Sequence, residues 1–344
     1  MKWSKHIARI ALCALFVLAA ACQRSVPAAE ATLPVEEVSR PVLNAQGIDR
    51  LVAAKQLTFD QPVKVKWTVD GGAFWVWSMQ DATLYAASDL QPVASYSAGE
   101  NGALHDVSPD GRLIAYALEE PDIILYDVIA GQETQRISQP GYTRSASFSP
   151  DGSLIGATSN QEWMITIWDA ASGSQVKSLT GFETAAPIYS FKFGVDGKTV
   201  LWIARGTIQP ADLESGSLGP EIHHEDFISC SALSPDGTLL ATGAAGTVDG
   251  EYMPIISIWD AHSGERLAVF PNADFYSALD FSPDGSLLAA GSLNSILFFD
   301  MNTLQPAGKI ADEVESVTDL QFSPDGSQLL TAGSLGIVQI WEME

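Results

Sequence analysis

The run His223-His224-Glu225-Asp226 has the residue types of a divalent-metal site, and His105-Asp106 has those of an acid–base pair. Neighbouring side chains on an extended strand point to opposite faces, so two adjacent histidines hold one ion only across a turn. The four-residue run is therefore expected to be a solvated connection. His105 and Asp106 fall inside an apolar strand pattern and read as a packed polar pair. Cys230 lies among small and apolar residues just ahead of Ser234-Pro235-Asp236-Gly237, where a thiol packs as a small hydrophobe. No Gly-x-Ser-x-Gly elbow, phosphate-cradling glycine loop, Cys-x-x-Cys pair or His-Glu-x-x-His motif occurs. The reading is no catalytic residue, no metal and no cofactor.

The elements around these residues repeat. A Ser-Pro-Asp-Gly turn places glycine at Gly111, Gly152, Gly237, Gly285 and Gly326, with weaker copies at Gly71 and Gly197, in steps of 40 to 48 residues. That is the period of a four-stranded propeller blade, and seven copies predict seven blades from about Ile48 to the C-terminus. Proline presets φ at the second turn position, aspartate bonds local backbone, and glycine takes the positive φ. The third strand of most blades ends in an aromatic and an acid: Tyr126-Asp127, Trp168-Asp169, Trp259-Asp260, Phe299-Asp300 and Trp341-Glu342. The ring is expected between blades, and the acid is expected to cap the next turn. Because Glu344 follows directly on the third strand of blade seven, that sheet needs an outer strand, and Ile48 to Thr58 is the segment placed to supply it.

These turns and Trp-acid pairs resemble WD-repeat propellers of the bacterial kind over residues 48 to 344. The fold expected is all-β, a seven-bladed β-propeller of WD-repeat type closed by an N-terminal strand that completes the last blade. The family's Gly-His pair before the first strand is missing; Gly141-Tyr142 and Gly181-Phe182 stand near its place, which leaves the buried histidine network without its usual residues. The resemblance implies that the second-to-third and fourth-to-first connections share the face that binds partners. Blade five has an insert there, since Gly243 to Trp259 is 16 steps where Gly291 to Phe299 is 8. That outgrown loop carries Asp249, Glu251 and Tyr252. With Trp163, Phe275 and Tyr276 as aromatic anchors, these are the partner-binding candidates. Glu119, Glu120, Asp122, Glu162, Glu183, Asp312, Glu313 and Glu315 would make the face acidic. Some resembling propellers hydrolyse lactones or small esters, so an enzyme is the rival reading and a cation-binding module a third.

The formal charge of −24, from 18 basic and 42 acidic residues, repels a polyanion and excludes nucleic acid as partner. A protein or peptide, with basic character as the complement, is the expected partner of a monomeric domain.

Lys2, Lys5 and Arg9 lead into the apolar run Ile10 to Ala21, a signal-segment pattern too short for a membrane span. Its end, Leu18-Ala19-Ala20-Ala21-Cys22, resembles the lipobox of bacterial lipoproteins, with leucine one residue early. The resemblance implies lipidation of Cys22 and an extracytoplasmic, membrane-anchored protein, at the outer membrane where there are two; the alternative is a secreted one. The expected division is residues 1–21 as signal, 22–47 as lipidated cysteine and flexible tether, and 48–344 as propeller.

Overall fold

The computed structural model describes residues 40–118, 121–139, 141–159, 164–180, 190–204, 206–272, 274–311 and 316–344. Each repeat is organised by its turn serine. Ser108, Ser149, Ser234, Ser282 and Ser323 are buried, and each donates its hydroxyl to the aspartate two residues on at 2.5–2.6 Å. Each also accepts the amide five residues on, at 2.6–2.9 Å. The glycines of these turns have φ of 71° to 76°, a region that residues with a Cβ resist. In blade one Thr68 stands in for the serine, bonding Asp70 at 2.6 Å. Blade four has Gly194 there, and Asp196 turns instead to the Thr199 hydroxyl at 2.6 Å.

The strands form seven four-stranded antiparallel sheets. Six take consecutive strands, and the seventh joins the chain ends. Blade seven consists of Val317–Phe322, Gln328–Gly333, Ile337–Met343 and, as its outer strand, Leu51–Thr58. The closing pair runs from Leu51 opposite Met343 to Thr58 opposite Ile337. The expected closure is therefore the closure observed. It begins earlier than the expected boundary at residue 48: Leu43 is buried, its amide donates to the Gly326 carbonyl at 2.8 Å, and it packs with Ile48 against blades six and seven. Residues 40–47 thus belong to the folded body rather than to a flexible tether, because Leu43 covers apolar surface that the ring would leave wet.

First strands surround the axis, and several reach the next blade's first strand through side chains. Asp106 accepts the amide of Phe148 at 2.8 Å, Asp280 that of Phe322 at 2.8 Å, Asp319 that of Val65 at 3.0 Å and Gln321 that of Trp67 at 2.7 Å. Lys66 donates to Asp106 at 2.9 Å, and Lys192 to the Ser231 carbonyl at 3.2 Å. Amides at the inner edge of a blade have no neighbouring strand, so these side chains satisfy them. Burial pushes the Asp280 carboxyl up to about 7 against the lowering effect of its Phe322 bond, with Asp319 adding repulsion. Asp319 is raised for the same first reason.

Most of the aromatic-acid pairs act as read; Tyr126 is only half-buried, and Glu342 meets Gln328 and Arg40 instead of capping a turn. Trp168, Trp259, Phe299 and Trp341 are buried between sheets. Asp127, Asp169, Asp260 and Asp300 accept turn amides two or three residues on at 2.7–3.2 Å. Blade four keeps only the acid, Asp212, on the Ser215 amide at 2.6 Å. In blade five a histidine relay is present without a Gly-His pair. His224 Nε2 bonds the Thr242 hydroxyl at 2.9 Å, and that hydroxyl accepts from Trp259 Nε1 at 2.8 Å. Burial lowers the His224 pKa to about 4, which keeps the ring neutral.

Three outcomes follow from this construction. A chain starting at Phe59 lacks the outer strand of blade seven, and its melting temperature should fall well below that of a chain starting at Arg40; equal values in calorimetry would contradict closure. Asp280 is raised in the fold, so its stabilising contribution is whole below the unfolded value near 4 and is lost as pH rises through about 7. Asp280→Asn, which keeps an acceptor for Phe322, should flatten the pH dependence of urea unfolding between those limits and be the more stable form at pH 8. Thr242→Val strands two buried ring nitrogens and should lower unfolding free energy by about 1–3 kcal/mol, read from urea midpoints.

Candidate interaction face

Strand alternation puts first-to-second and third-to-fourth connections at one end of the axis and second-to-third and fourth-to-first connections at the other. The side chains exposed at the two ends differ in kind. Tyr142, Phe227, Tyr252 and Phe275, each more than half exposed, all lie at the second end with Met79, Leu293 and Leu335. Exposed apolar residues elsewhere are aliphatic, such as Val69, Ile129 and Val195 in turns of the first end and Val52, Val93, Val176 and Leu267 on outer strands. Aromatic rings supply large rigid contact area at small entropic cost, so their segregation marks the second end as the contact face.

The blade-five insert dominates this end, though not as a loop. Its residues lengthen the second and third strands to Leu239–Val248 and Glu251–Asp260, paired without a break out to Val248 opposite Glu251. Asp249 and Gly250 form the tip with φ of 52° and 86°. Two successive positive φ values define the hairpin turn whose twist matches paired strands, and Asp-Gly is a preferred sequence for it. The extra residues therefore extend the ladder into a projecting arm. Asp249, Glu251 and Tyr252 are exposed on it.

The His223-His224-Glu225-Asp226 run braces that arm. The Tyr252 hydroxyl donates to Asp226, and this bond is the main reason the phenol's pKa is raised. Thr247 donates to Glu225 at 2.8 Å. His223 turns to Glu221 at 3.5 Å, and His224 turns inward to Thr242. The four side chains diverge, so the run is a strut, and among the described residues no three His, Cys, Asp or Glu side chains converge as a metal site.

Tyr276 corrects the expected anchor set. It is 2% exposed and packs with Cys230 and Leu279 between blades five and six, while Phe275 beside it is open. Tyr276 begins the first strand of blade six, where successive side chains take opposite sides, so only one of the pair can face solvent. Trp163 and Cys22 lie outside the described residues, as do Glu119, Glu120, Glu162, Glu183, Asp312, Glu313 and Glu315. Asp122 is described and accepts from the Ser138 hydroxyl at 2.7 Å. Tyr142 and Phe227 join the exposed set without belonging to the insert or to a motif; their signal in the sequence is position, an aromatic in a fourth-to-first connection.

Burial governs the remaining reactive types. Burial raises the Cys230 thiol to about 11. His105 is lowered to about 4, first by burial and then by Lys64, and its Nε2 has no partner. Asp106 points to Lys66 and Phe148 instead, so His105 and Asp106 form no pair.

Residues 218–250, 264–300 and 308–342 match the WD40 family, described as WD domain, G-beta repeat. Protein TOPLESS of Arabidopsis thaliana is 26% identical over 291 residues, 78% of this chain and 24% of its own length. Transducin beta-like protein 3 of Rattus norvegicus is 23% identical over 286 residues, 79% of this chain and 34% of its own. Topless-related protein 4 of Arabidopsis thaliana is 26% identical over 148 residues, 38% of this chain and 12% of its own. The chain thus spans between 12% and 34% of the length of these relatives. No helix among the described residues is long and apolar enough to cross a membrane. Turns, closure and matched repeats together make the chain a seven-bladed β-propeller, three stretches of which match WD40 repeats.

Proposed function

We propose that this chain is a non-catalytic scaffold, anchored outside the cytoplasm through lipid on Cys22, whose aromatic end docks a basic protein or peptide. The observation that carries the docking reading is the segregation of every exposed aromatic on the described surface to one end, beside the carboxylates of Glu225, Asp226, Asp249 and Glu251. WD40 propellers commonly serve as protein-binding platforms, which agrees with that surface. Tyr252 and Phe275 supply the buried contact, and the carboxylates steer the approach and make association sensitive to salt. The anchoring reading rests on the N-terminal charge pattern and the residues before Cys22.

A photo-crosslinking residue at Tyr252 in intact cells should give a discrete adduct that the same residue at Val176, on the outer strand of blade three, does not. Matching patterns from both positions would remove the case for this face. Asp249→Asn with Glu251→Gln, which leaves the tip turn intact, should slow association with the captured partner several-fold at low salt and flatten its salt dependence. Cys22→Ser should move the protein from the membrane fraction to the soluble one.

A further inference from the structure

At the same end of the axis, three blades round the ring from the arm, two neighbouring depressions cross blade one. The outer, about 370 Å³, is lined by Phe59, Asp60 and Asp81; the inner, about 280 Å³, by Lys64, Met79 and Leu104. Val63, Trp77 and Ser78 line both, making one radial trough of the size range of ligand sites.

Trp77 is only 6% exposed and lines both depressions, and among the described residues its ring N–H has no acceptor and is not one of the sealed polar atoms. Of the other described tryptophans, Trp67, Trp75, Trp202, Trp259 and Trp341 donate within the protein, and Trp168, whose indole likewise has no acceptor among the described residues, lines neither depression. Asp60, Asp81 and Lys64 are exposed, and among the described residues none has an ion-pair partner. A donor on an apolar floor thus lies between two carboxylates at the rim and an ammonium at the axial end.

The geometry points to a binding site for a short extended peptide segment. Its basic side chain meets Asp60 and Asp81, an apolar side chain covers Val63 and Trp77, a backbone carbonyl accepts the Trp77 N–H, and a carboxylate meets Lys64. A phosphate-bearing ligand would meet the two rim carboxylates, and a sugar would lack an open indole face to stack on, since Trp77 is buried. No residue of the blade-five arm takes part, so this site extends the docking reading without depending on it.

The test uses the ¹⁵N-labelled full chain in detergent, with the Trp77 indole cross-peak identified by Trp77→Phe. Capped tetrapeptides with arginine at one end, leucine inside and glutamate at the other, in both directions, should shift that peak saturably. Analogues with glutamine for both charged residues should bind about fivefold more weakly or worse. Asp60→Asn with Asp81→Asn should erase the preference for arginine, and Lys64→Gln the preference for glutamate. A Trp77 peak unmoved by either charged peptide, or shifts unchanged in both sets of variants, would overturn the site. The Tyr252 crosslink would be untouched by that result, so the two readings fail separately.

Discussion

One constraint governs this molecule: a four-stranded antiparallel sheet has two faces and can shield neither alone, so each blade depends on a neighbour at either side. A row of such sheets is satisfied only when it has no first or last member. The pairing of Leu51–Thr58 with Ile337–Met343 removes the ends, and it does so by joining stretches nearly three hundred residues apart. Leu43 and Ile48 fill the seam by adding to the packing of blades six and seven. The axial contacts serve the same requirement from inside, since Asp106, Asp280, Asp319 and Gln321 each give the next blade an acceptor that strand pairing cannot provide there.

Much of this was legible in the sequence because the repeat depends on residue type. Proline and glycine in the turns have few substitutes, and the acid after the third-strand aromatic reports directly on a capped turn. Blades one and four keep the geometry with altered residues, Thr68 for serine in one case and Asp196 bonded to Thr199 in the other, which is why their copies read as weak.

The surface was less legible, for identifiable reasons. The blade-five insert is visible by length, but whether eight extra residues loop or pair depends on their alternation and on the Asp249-Gly250 tip, which length does not report. Phe275 and Tyr276 are adjacent and opposite in fate because strand parity, which composition does not carry, decides which of them faces water. His224 stands seven residues before Ser231, too far back in an eroded connection to be recognised as the relay partner of Thr242. Trp77 gives no sign in sequence of its free N–H, which depends on what the neighbouring connection at Phe59 to Val63 leaves uncovered.

The direction in which the chain enters has a mechanical consequence. Arg40 lies beside Glu342 at 3.6 Å and Leu43 beside Gly326, both at the end of the axis opposite the aromatic residues. A pull applied between Arg40 and the aromatic end would run along Leu51–Thr58, parallel to the strand. Pulled that way, the closing pair is loaded in shear, with its cross-strand bonds sharing the force instead of parting one by one. The seam that completes the ring is thereby oriented to resist being unzipped.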